Sequence, residues 1–272
     1  MKNEAFSADH IRACLGQTNT VGGRIDCFEC IDSTNTYLKR IASDGAPDGT
    51  AAVAAAQTAG RGRRGRTFQS AAGKGVYLSV LLRPRLTPEQ LMPLTGLCAV
   101  AMCGAVERVC GVRPQIKWTN DLILNGRKLG GILTELGMEN GALSYVIIGV
   151  GVNVSHRTED FEGEVADLAT SLERELHREV SKDALAAAML AALDTLYDDL
   201  RRGSTAPYVE RYRRDCVTLQ KEVQLLWQDV HEKVFALDVD GQFGLVVRRE
   251  NGKIETVRTG EVSVRGLYGY VN

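Results

Sequence analysis

Basic and glycine residues alternate in one short stretch of this sequence. Residues 60–66 read Gly-Arg-Gly-Arg-Arg-Gly-Arg, so four arginines and three glycines fall within seven positions. Glycine lets the backbone adopt positive φ or approach a ligand closely, and successive N–H groups in such a loop form a concave anion site. Arginine adds forked donors that match carboxylate and phosphate. The stretch therefore predicts a site for a small, strongly anionic molecule, the alternative being a solvated or nucleic-acid-binding basic loop.

Charged and amide residues also interrupt apolar segments further along the chain. They are Lys117, Asn120, Asp121, Lys128 and Asn153. Burying a charge is costly unless the charge is paired or meets a ligand, so these residues predict a site. A structural ion pair between Lys117 and Asp121 is the alternative explanation.

A third polar group, Asp32-Ser33-Thr34-Asn35, lies between a predicted strand and a predicted helix. Asp32 or Ser33 would cap the helix. The first turn of such a helix offers N–H and hydroxyl donors at the sheet edge, which suits a neutral polar ligand group. Capping alone explains Ser33 and Thr34 equally well.

Composition excludes several classes of protein. The formal net charge is -1, so no overall field attracts the molecule to nucleic acid or membrane. Cys27 and Cys30 have the gap of a metal pair, but a strand points them to opposite faces and no second pair follows, so zinc is not expected. The N-terminus lacks the pattern of a signal peptide, and no apolar run reaches the ~18 residues of a membrane span. We expect a cytoplasmic enzyme.

The segments that flank these residues predict a sheet with covering helices. Apolar strands at 51–56 and 75–82 make the glycine–arginine stretch a loop between core strands. Thr87-Pro88-Glu89-Gln90 has the pattern of a capping box and begins an apolar helix that ends near Gly111. Three antiparallel strands, 115–124, 127–136 and 143–153, are separated by Asn-Gly turns. Residues 155–168 predict a mobile surface loop, and an amphipathic helix follows.

The composition changes near residue 216. Five short strands follow in some fifty residues, split by Asp-Gly and Asn-Gly turns, which indicates a small barrel. The sequence therefore predicts two domains, residues 1–216 and 217–272.

Taken together, these motifs resemble those of the biotin–protein ligases, over nearly the whole chain. The family's Asp-Ser-Thr-Asn stands at 32–35, its Gly-Arg-Gly-Arg-Arg-Gly-Arg at 60–66, and its Lys-Trp-Pro-Asn-Asp at 117–121 with Thr119 in place of proline. Its Lys-Leu-Gly-Gly-Ile-Leu stands at 128–133, its Gly-x-Gly-x-Asn at 149–153, and its Gly-Glu-Val-Ser-Val-Arg at 260–265. Six motifs in this order make the resemblance specific.

The resemblance implies an α+β fold. The catalytic core would be a mixed sheet with flanking helices, like that of class II aminoacyl-tRNA synthetases, followed by a small SH3-like β-barrel. It also implies binding roles. Biotin would contact Ser33, Thr34, Asn35, Gln57, Gly60, Arg61, Gly62, Arg63, Lys128 and Gly131. ATP would contact Arg63, Arg66, Phe68, Lys117, Asn120, Asn153 and Arg265.

Two departures from the family pattern affect the expected site. Thr119 replaces the usual proline, which should loosen that turn slightly, and Phe68 stands where tryptophan is common. Phenylalanine can still cover a ring by stacking, without an indole N–H. Only 31 residues precede Asp32, too few for the winged-helix domain of the bifunctional members, so we expect a ligase that is not a repressor.

The resemblance implies two chemical steps. Biotin would first be joined to AMP, with Lys128, Arg61, Arg63 and Mg²⁺ neutralising the two anions, and then transferred to a lysine of a biotin carboxyl carrier domain. Lys128 is the residue we expect to matter most. Asp121 would orient or deprotonate the acceptor amine, or bind Mg²⁺.

Three rival functions remain at the level of the sequence. A lipoate–protein ligase shares the implied fold but lacks this arginine–glycine loop. A biotin or nucleotide sensor would not need Arg61, Arg63 and Lys128 intact, and a nucleic-acid-binding module fits poorly with the near-zero net charge. We expect no nucleic-acid or membrane partner, and a monomer or a homodimer.

Overall fold

The larger of two β-sheets holds most of the predicted site. The computed structural model describes residues 6–227, 230–258 and 261–264 of the 272 in the chain. Within these residues, seven strands form a mixed sheet in the order β1-β2-β3-β7-β6-β5-β4, in which β1 and β2 are parallel and the other pairs antiparallel. The strands are β1 Ile25–Phe28, β2 Ala51–Ala54, β3 Gly75–Leu82, β4 Gln115–Lys117, β5 Asp121–Leu124, β6 Arg127–Glu139 and β7 Ala142–Asn153.

The predicted strand 115–124 is wrong in one respect. It is two strands, β4 and β5, that pair antiparallel with Lys117 opposite Asp121. The intervening Trp118-Thr119-Asn120 forms the turn, so the polar Thr119 and Asn120 lie at a tight bend rather than along one strand. The remaining two strands of the predicted meander are confirmed as β6 and β7.

Helices cover both faces of the larger sheet. In the described residues they are α1 Ala8–Leu15, α2 Thr34–Ser43, α3 Leu94–Cys110, α4 Val165–Leu168, α5 Leu172–Leu176, α6 Lys182–Arg201 and α7 Ala206–Asp215. Leu38 and Ala42 of α2 pack with Leu81 in one cluster, whereas Val80 and Leu82 pack into the main core with α3 and α6. Successive strand residues point to opposite faces, so α2 lies on one face and α3 and α6 on the other.

Helix α3 is apolar on nearly all sides because it is buried. With its preceding turn, the stretch Glu89–Cys110 has the length and hydropathy of a membrane span, and 67% of its most apolar window is buried inside the fold. Its cysteines Cys98, Cys103 and Cys110 are buried free thiols. This is the pattern of a core helix.

The second sheet confirms the strands predicted after residue 216. Five strands within the described residues run antiparallel in the order β11-β10-β9-β8-β12. They are β8 Lys221–Trp227, β9 Val230–Val239, β10 Leu245–Arg249, β11 Ile254–Val257 and β12 Glu261–Val264.

The two sheets contact each other at the turn between β4 and β5. The Trp118 indole Nε1 donates to the Phe243 carbonyl over 2.7 Å, and the Trp118 backbone N–H donates to Thr218 Oγ1 over 2.9 Å. The buried Tyr212 hydroxyl donates to the Thr119 carbonyl over 3.2 Å. The smaller sheet thus supports a turn that carries predicted site residues.

Candidate active site

One cavity collects nearly all of the residues predicted from the sequence. It has a volume of about 170 Å³ and lies between the glycine–arginine loop and strands β5, β6 and β7. The predicted residues that line it are Ser33, Thr34, Asn35, Gln57, Arg61, Gly62, Arg63, Arg66, Phe68, Lys117, Asn120, Asp121, Lys128 and Gly131. Residues far apart in the chain therefore share one site.

Three predicted residues stand apart from this lining. Gly60 supports the loop from behind, since a Cβ there would lie 2.4 Å from the Phe68 carbonyl oxygen. Asn153 is buried and donates from Nδ2 to the Thr170 carbonyl over 3.0 Å, and it does not line the cavity. Arg265 lies outside the described residues.

The first turn of α2 forms one wall. Ser33 is the N-cap, and its Oγ accepts from the Thr36 N–H over 3.4 Å while also lining the cavity. Capping and facing the cavity are therefore compatible for Ser33. The Thr34 N–H donates to Gln57 Oε1 over 2.9 Å, and Gln57 Nε2 donates to Ser70 Oγ over 3.0 Å. Gln57 is held in one orientation by these two bonds.

Sequence reasoning missed two polar residues here: Ser79, which also lines the cavity, and Glu135, which lies behind the lining. Ser79 on β3 is fully buried, and its hydroxyl lies 2.6 Å from both Thr34 Oγ1 and Asn35 Oδ1. Glu135 on β6 accepts from Asn35 Nδ2 over 2.8 Å. The available signal was the one that singled out Lys128, a polar side chain inside an otherwise apolar strand.

Glu135 also faces two cations. Its Oε1 lies 2.5 Å from Lys39 Nζ and 3.2 Å from Arg61 NH2. Burial opposes ionisation of this carboxyl, but the hydrogen bonds from Lys39 and Asn35 and the charge of Arg61 outweigh it and lower the pKa of Glu135. The carboxylate is therefore ionised at neutral pH.

The glycine–arginine loop is a folded turn. Arg63–Gly65 form one turn of 3-10 helix, and the Gly62 N–H donates to the Arg66 carbonyl over 2.7 Å. Of its three glycines only Gly65 has positive φ, at 73°, while Arg64 adopts 55°. The glycines of this loop therefore serve different purposes, positive φ at Gly65 and close packing at Gly60.

Arg63 is bound to the turn between β4 and β5. One of its terminal nitrogens, NH1, donates to Thr119 Oγ1 over 2.8 Å and to Asn120 Oδ1 over 2.7 Å. Asn120 Nδ2 in turn donates to the Ile132 carbonyl over 3.1 Å. Thr119, besides replacing proline, adds a hydroxyl that holds Arg63.

Asp121 is paired with Lys128. The Lys128 Nζ lies 2.8 Å from Asp121 Oδ1, and the two side chains are 34% and 18% exposed. Asp121 thus forms an ion pair with Lys128, a different pair from the Lys117–Asp121 alternative that the sequence suggested. A Cβ on Gly131 would lie 3.5 Å from the same Asp121 oxygen, so a small residue there leaves room beside the pair.

Phe68 covers the floor of the cavity. A Cβ on Gly151 would lie 2.5 Å from Phe68 Cε1, so the ring rests directly on the β7 backbone. Two residues of the surrounding loops tie this region together, because Gln69 and Glu162 exchange hydrogen bonds of 2.9 and 3.2 Å. The glycine–arginine loop and the 155–168 segment are therefore joined near Phe68.

The described residues contain no dedicated metal cage. No group of three or more His, Cys, Asp or Glu side chains among them is arranged to hold a metal ion. Cys27 is half-buried and Cys30 exposed, both as free thiols, and burial raises the pKa of Cys27 to about 11.

Comparison with known proteins places this arrangement in a family. A sequence profile of the Biotin/lipoate A/B protein ligase family matches residues 27–153. The Mycobacterium tuberculosis biotin–[acetyl-CoA-carboxylase] ligase is 30% identical, with 88% of each chain covered. The chain belongs to the biotin protein ligase family.

Two further relatives show how much of the chain the similarity covers. The bifunctional ligase/repressor BirA of Bacillus spizizenii is 37% identical over 71% of this chain, and the match spans 59% of that relative's length. A biotin protein ligase of Aquifex aeolicus, solved in complex with biotin and ATP, has a TM-score of 0.75 and 26% identity. It covers 89% of this chain and 99% of its own. The biotin protein ligase fold thus extends over most of the chain.

Proposed function

We propose that this chain is an ATP-dependent biotin–protein ligase. It would convert biotin to biotinyl-5′-AMP with release of pyrophosphate, then transfer biotin to a lysine of a biotin carboxyl carrier domain. One observation carries the proposal: neutral hydrogen-bonding groups at the start of α2 and the cations Arg61, Arg63 and Lys128 line one cavity. A polar ring with an acidic tail requires this combination.

The neutral end of the cavity suits the ureido ring of biotin. Ser33, Thr34, Asn35 and Gln57 supply hydroxyl and amide groups that are already oriented by hydrogen bonds to the protein. Preorganised groups lose little entropy when they bind. These residues would distinguish a cyclic urea from an apolar ring.

The basic end suits the carboxylate and the α-phosphate. A carboxylate oxygen of biotin would attack the α-phosphorus of ATP, and the bond from that phosphorus to the bridging oxygen would break as pyrophosphate leaves. The carboxylate needs no base, but two unit anions 4 Å apart repel by about 4 kcal/mol at an effective dielectric near 20. Lys128, Arg61 and Arg63 would offset that repulsion and hold the two groups in line.

The nucleotide would lie on the side of Arg66, Phe68, Lys117 and Asn120, with Arg265 as a further contact. Mg²⁺ usually binds through one or two carboxylates together with substrate phosphates. Asp121 is the carboxylate among the described residues that line the cavity, so these residues fit Mg²⁺ as a companion of ATP. When bound, Mg²⁺ would neutralise phosphate charge.

The second step forms an amide. The amine of the carrier lysine would attack the carbonyl carbon of the anhydride, AMP would leave, and the amine would lose a proton. With a reference pKa of about 10.4, well under 1% of such an amine is neutral at pH 7. Asp121 would accept the proton or orient the amine.

The remaining parts of the proposal concern architecture and setting. The larger sheet with its helices would be a core like that of class II aminoacyl-tRNA synthetases, within residues 1–216. The five-stranded sheet would be an SH3-like barrel, within residues 217–272. The enzyme would act in the cytoplasm as a monomer or a homodimer, on carriers of biotin-dependent carboxylases.

The decisive experiment is ATP-dependent transfer of labelled biotin to a purified carrier domain. We expect amide-linked label, with one pyrophosphate and one AMP per biotin. Labelled lipoate in place of biotin should give no transfer. Absence of transfer with biotin, from protein shown to be folded, would contradict the proposal.

A further inference from the structure

The Glu135 carboxylate connects the two ends of the cavity. It accepts a hydrogen bond from Asn35 Nδ2 over 2.8 Å and pairs with Lys39 Nζ at 2.5 Å, both on α2. It also pairs with Arg61 NH2 of the glycine–arginine loop at 3.2 Å. Its side chain is 16% exposed. Glu135 itself does not line the cavity, although Asn35 and Arg61 do.

The charge of Glu135 determines which way the Asn35 amide faces. An ionised carboxylate only accepts hydrogen bonds, so the NH₂ group of Asn35 must point to Glu135. The other end of the amide, Oδ1, then accepts from the Ser79 hydroxyl over 2.6 Å. This amide orientation follows from the hydrogen-bond network, as such assignments must.

The orientation of the Asn35 amide also fixes which hydroxyl donates in the hydrogen bond between Ser79 and Thr34. A hydroxyl carries one hydrogen, and Ser79 uses it on Asn35. The 2.6 Å contact between Ser79 and Thr34 must therefore run from the Thr34 hydroxyl to Ser79 Oγ. Thr34 Oγ1 lies further from Gln57 Oε1, at 3.2 Å, so the shorter bond takes its hydrogen. The Thr34 oxygen is then left as an acceptor at the cavity wall.

We propose that Glu135 is a positioning residue for the ring of the substrate: it directs the hydrogen bonds from Thr34 through Ser79 and Asn35, so that Thr34 presents an acceptor to a ligand N–H. The inference rests on the proposed function, because a cyclic urea supplies that N–H. Without the charge on Glu135 the Asn35 amide can rotate, and the chain of bonds can reverse so that Thr34 presents a donor instead.

The test substitutes Glu135→Gln, which keeps the shape and removes the charge. Dissociation constants are measured by calorimetry for biotin, for ATP and for biotinol, in which an alcohol replaces the carboxylate. We expect biotin and biotinol to bind about tenfold more weakly, as for the loss of one hydrogen bond between Thr34 and the ligand N–H. The ATP constant should stay within about twofold, since the nucleotide would meet other residues.

Binding of biotinol distinguishes an effect on the ring from an effect on the carboxylate, because biotinol has the same ring and no carboxylate. If Glu135 acts only by holding Arg61, the loss disappears with biotinol, which has no anion for Arg61, and the inference is overturned. Unchanged biotin binding in Glu135→Gln overturns it as well. Wild-type protein that binds ATP but no biotin would instead refute the proposed function, and the inference would fall with it.

Two control variants distinguish positioning from stability. Lys39→Met removes the other α2 contact of Glu135 but leaves the Asn35 bond, and Glu139→Gln makes the same change on the same strand, where Glu139 accepts from Ser144 Oγ over 2.9 Å. Both should keep wild-type biotin binding. A loss in Lys39→Met equal to that in Glu135→Gln would show that Glu135 only anchors α2. If Glu135→Gln does not fold, Ser79→Ala breaks the same chain without touching a charge and should weaken both ring ligands equally.

Discussion

The Lys128 ammonium lies 2.8 Å from the Asp121 carboxylate, and the two side chains come from adjacent strands of the larger sheet. The pair is partly exposed to the cavity, so its net contribution to stability is small. The pair instead holds the Lys128 ammonium where an anionic substrate would bind. Both residues therefore have distinct expected roles in the two chemical steps.

Replacing Lys128 by alanine should strongly slow formation of the adenylate. Loss of one preorganised charge at a developing anion costs about 10²- to 10³-fold in rate, which we expect in biotin-dependent pyrophosphate release. Lys74→Ala is a matched control, because Lys74 is similarly exposed and pairs with Asp160 at 3.3 Å outside the cavity lining. A wild-type rate in Lys128→Ala would remove Lys128 from the mechanism.

Replacing Asp121 by asparagine should slow the transfer step. If Asp121 accepts the proton of the amine, transfer from preformed biotinyl-5′-AMP falls at pH 7 by about 10²-fold or more. The defect should shrink at higher pH, where more of the amine is already neutral. Normal transfer at pH 7 in Asp121→Asn would exclude the role as a base.

Thr119 should help to keep the glycine–arginine loop closed. Thr119→Val keeps the branched shape but removes the oxygen that accepts from Arg63 over 2.8 Å. One hydrogen bond to a charged donor is worth about 1.5 kcal/mol or more, so the loop should open roughly tenfold more often. Trypsin, which cleaves after arginine, should cut this stretch correspondingly faster in the variant, with Thr119→Ser as the control that retains the hydroxyl. Equal cleavage of Thr119→Val and wild type would show that the Thr119 hydroxyl does not help to hold the loop closed.

The strands and their turns were predictable because their signals are local. Apolar runs and Asn-Gly turns predicted β6, β7 and the five strands after residue 216. The break between β4 and β5 was missed, because the turn at Trp118-Thr119-Asn120 is short and is stabilised by the distant Thr218 and Tyr212.

The site was predictable where a charge interrupts an apolar strand, as at Lys128. Ser79 and Glu135 offered the same signal, a polar side chain in an apolar strand, but the role of Glu135 depends on its contact with Asn35, one hundred residues earlier in the chain. Contacts of this range depend on which strands become neighbours. No spacing within the sequence encodes them.

Gly149 should be intolerant of any side chain. A Cβ there would lie 2.1 Å from Asn35 Oδ1, so Gly149→Ala must displace the Asn35 amide from its place beside Ser79. We expect weaker biotin binding and a loss of about 1–3 kcal/mol in the free energy of unfolding, as for other overpacked sites. Gly104→Ala is the control, since its Cβ would meet nothing closer than 3.9 Å and helix α3 should gain up to about 1 kcal/mol. Denaturant unfolding and calorimetry with biotin measure both effects, and wild-type biotin affinity in Gly149→Ala would show that Asn35 need not stay where it is.

His156 should make the fold acid-sensitive. It is buried against Phe161, with Nε2 3.2 Å from the Tyr77 hydroxyl, and burial lowers the pKa of His156 to about 4. Above the ordinary histidine pKa the ring is neutral in both states, so it contributes no pH dependence there. As the pH falls below about 6.5, the unfolded chain binds a proton that the folded protein does not, and stability decreases by about 3 kcal/mol by pH 4.

The neighbouring Asp160 carboxylate does not account for the loss of stability expected from His156 between pH 6.5 and pH 4. Burial opposes ionisation of Asp160, but the Arg157 backbone N–H and the Lys74 ammonium outweigh it and lower the pKa of that carboxyl below its ordinary value. The free energy of unfolding, measured in denaturant at steps between pH 7 and pH 4, should therefore fall less steeply in His156→Phe than in wild type. The phenylalanine ring retains the stacking on Phe161 but cannot be protonated. Parallel pH profiles for the two proteins would show that His156 is protonated in the folded state and that its burial has no effect on acid stability.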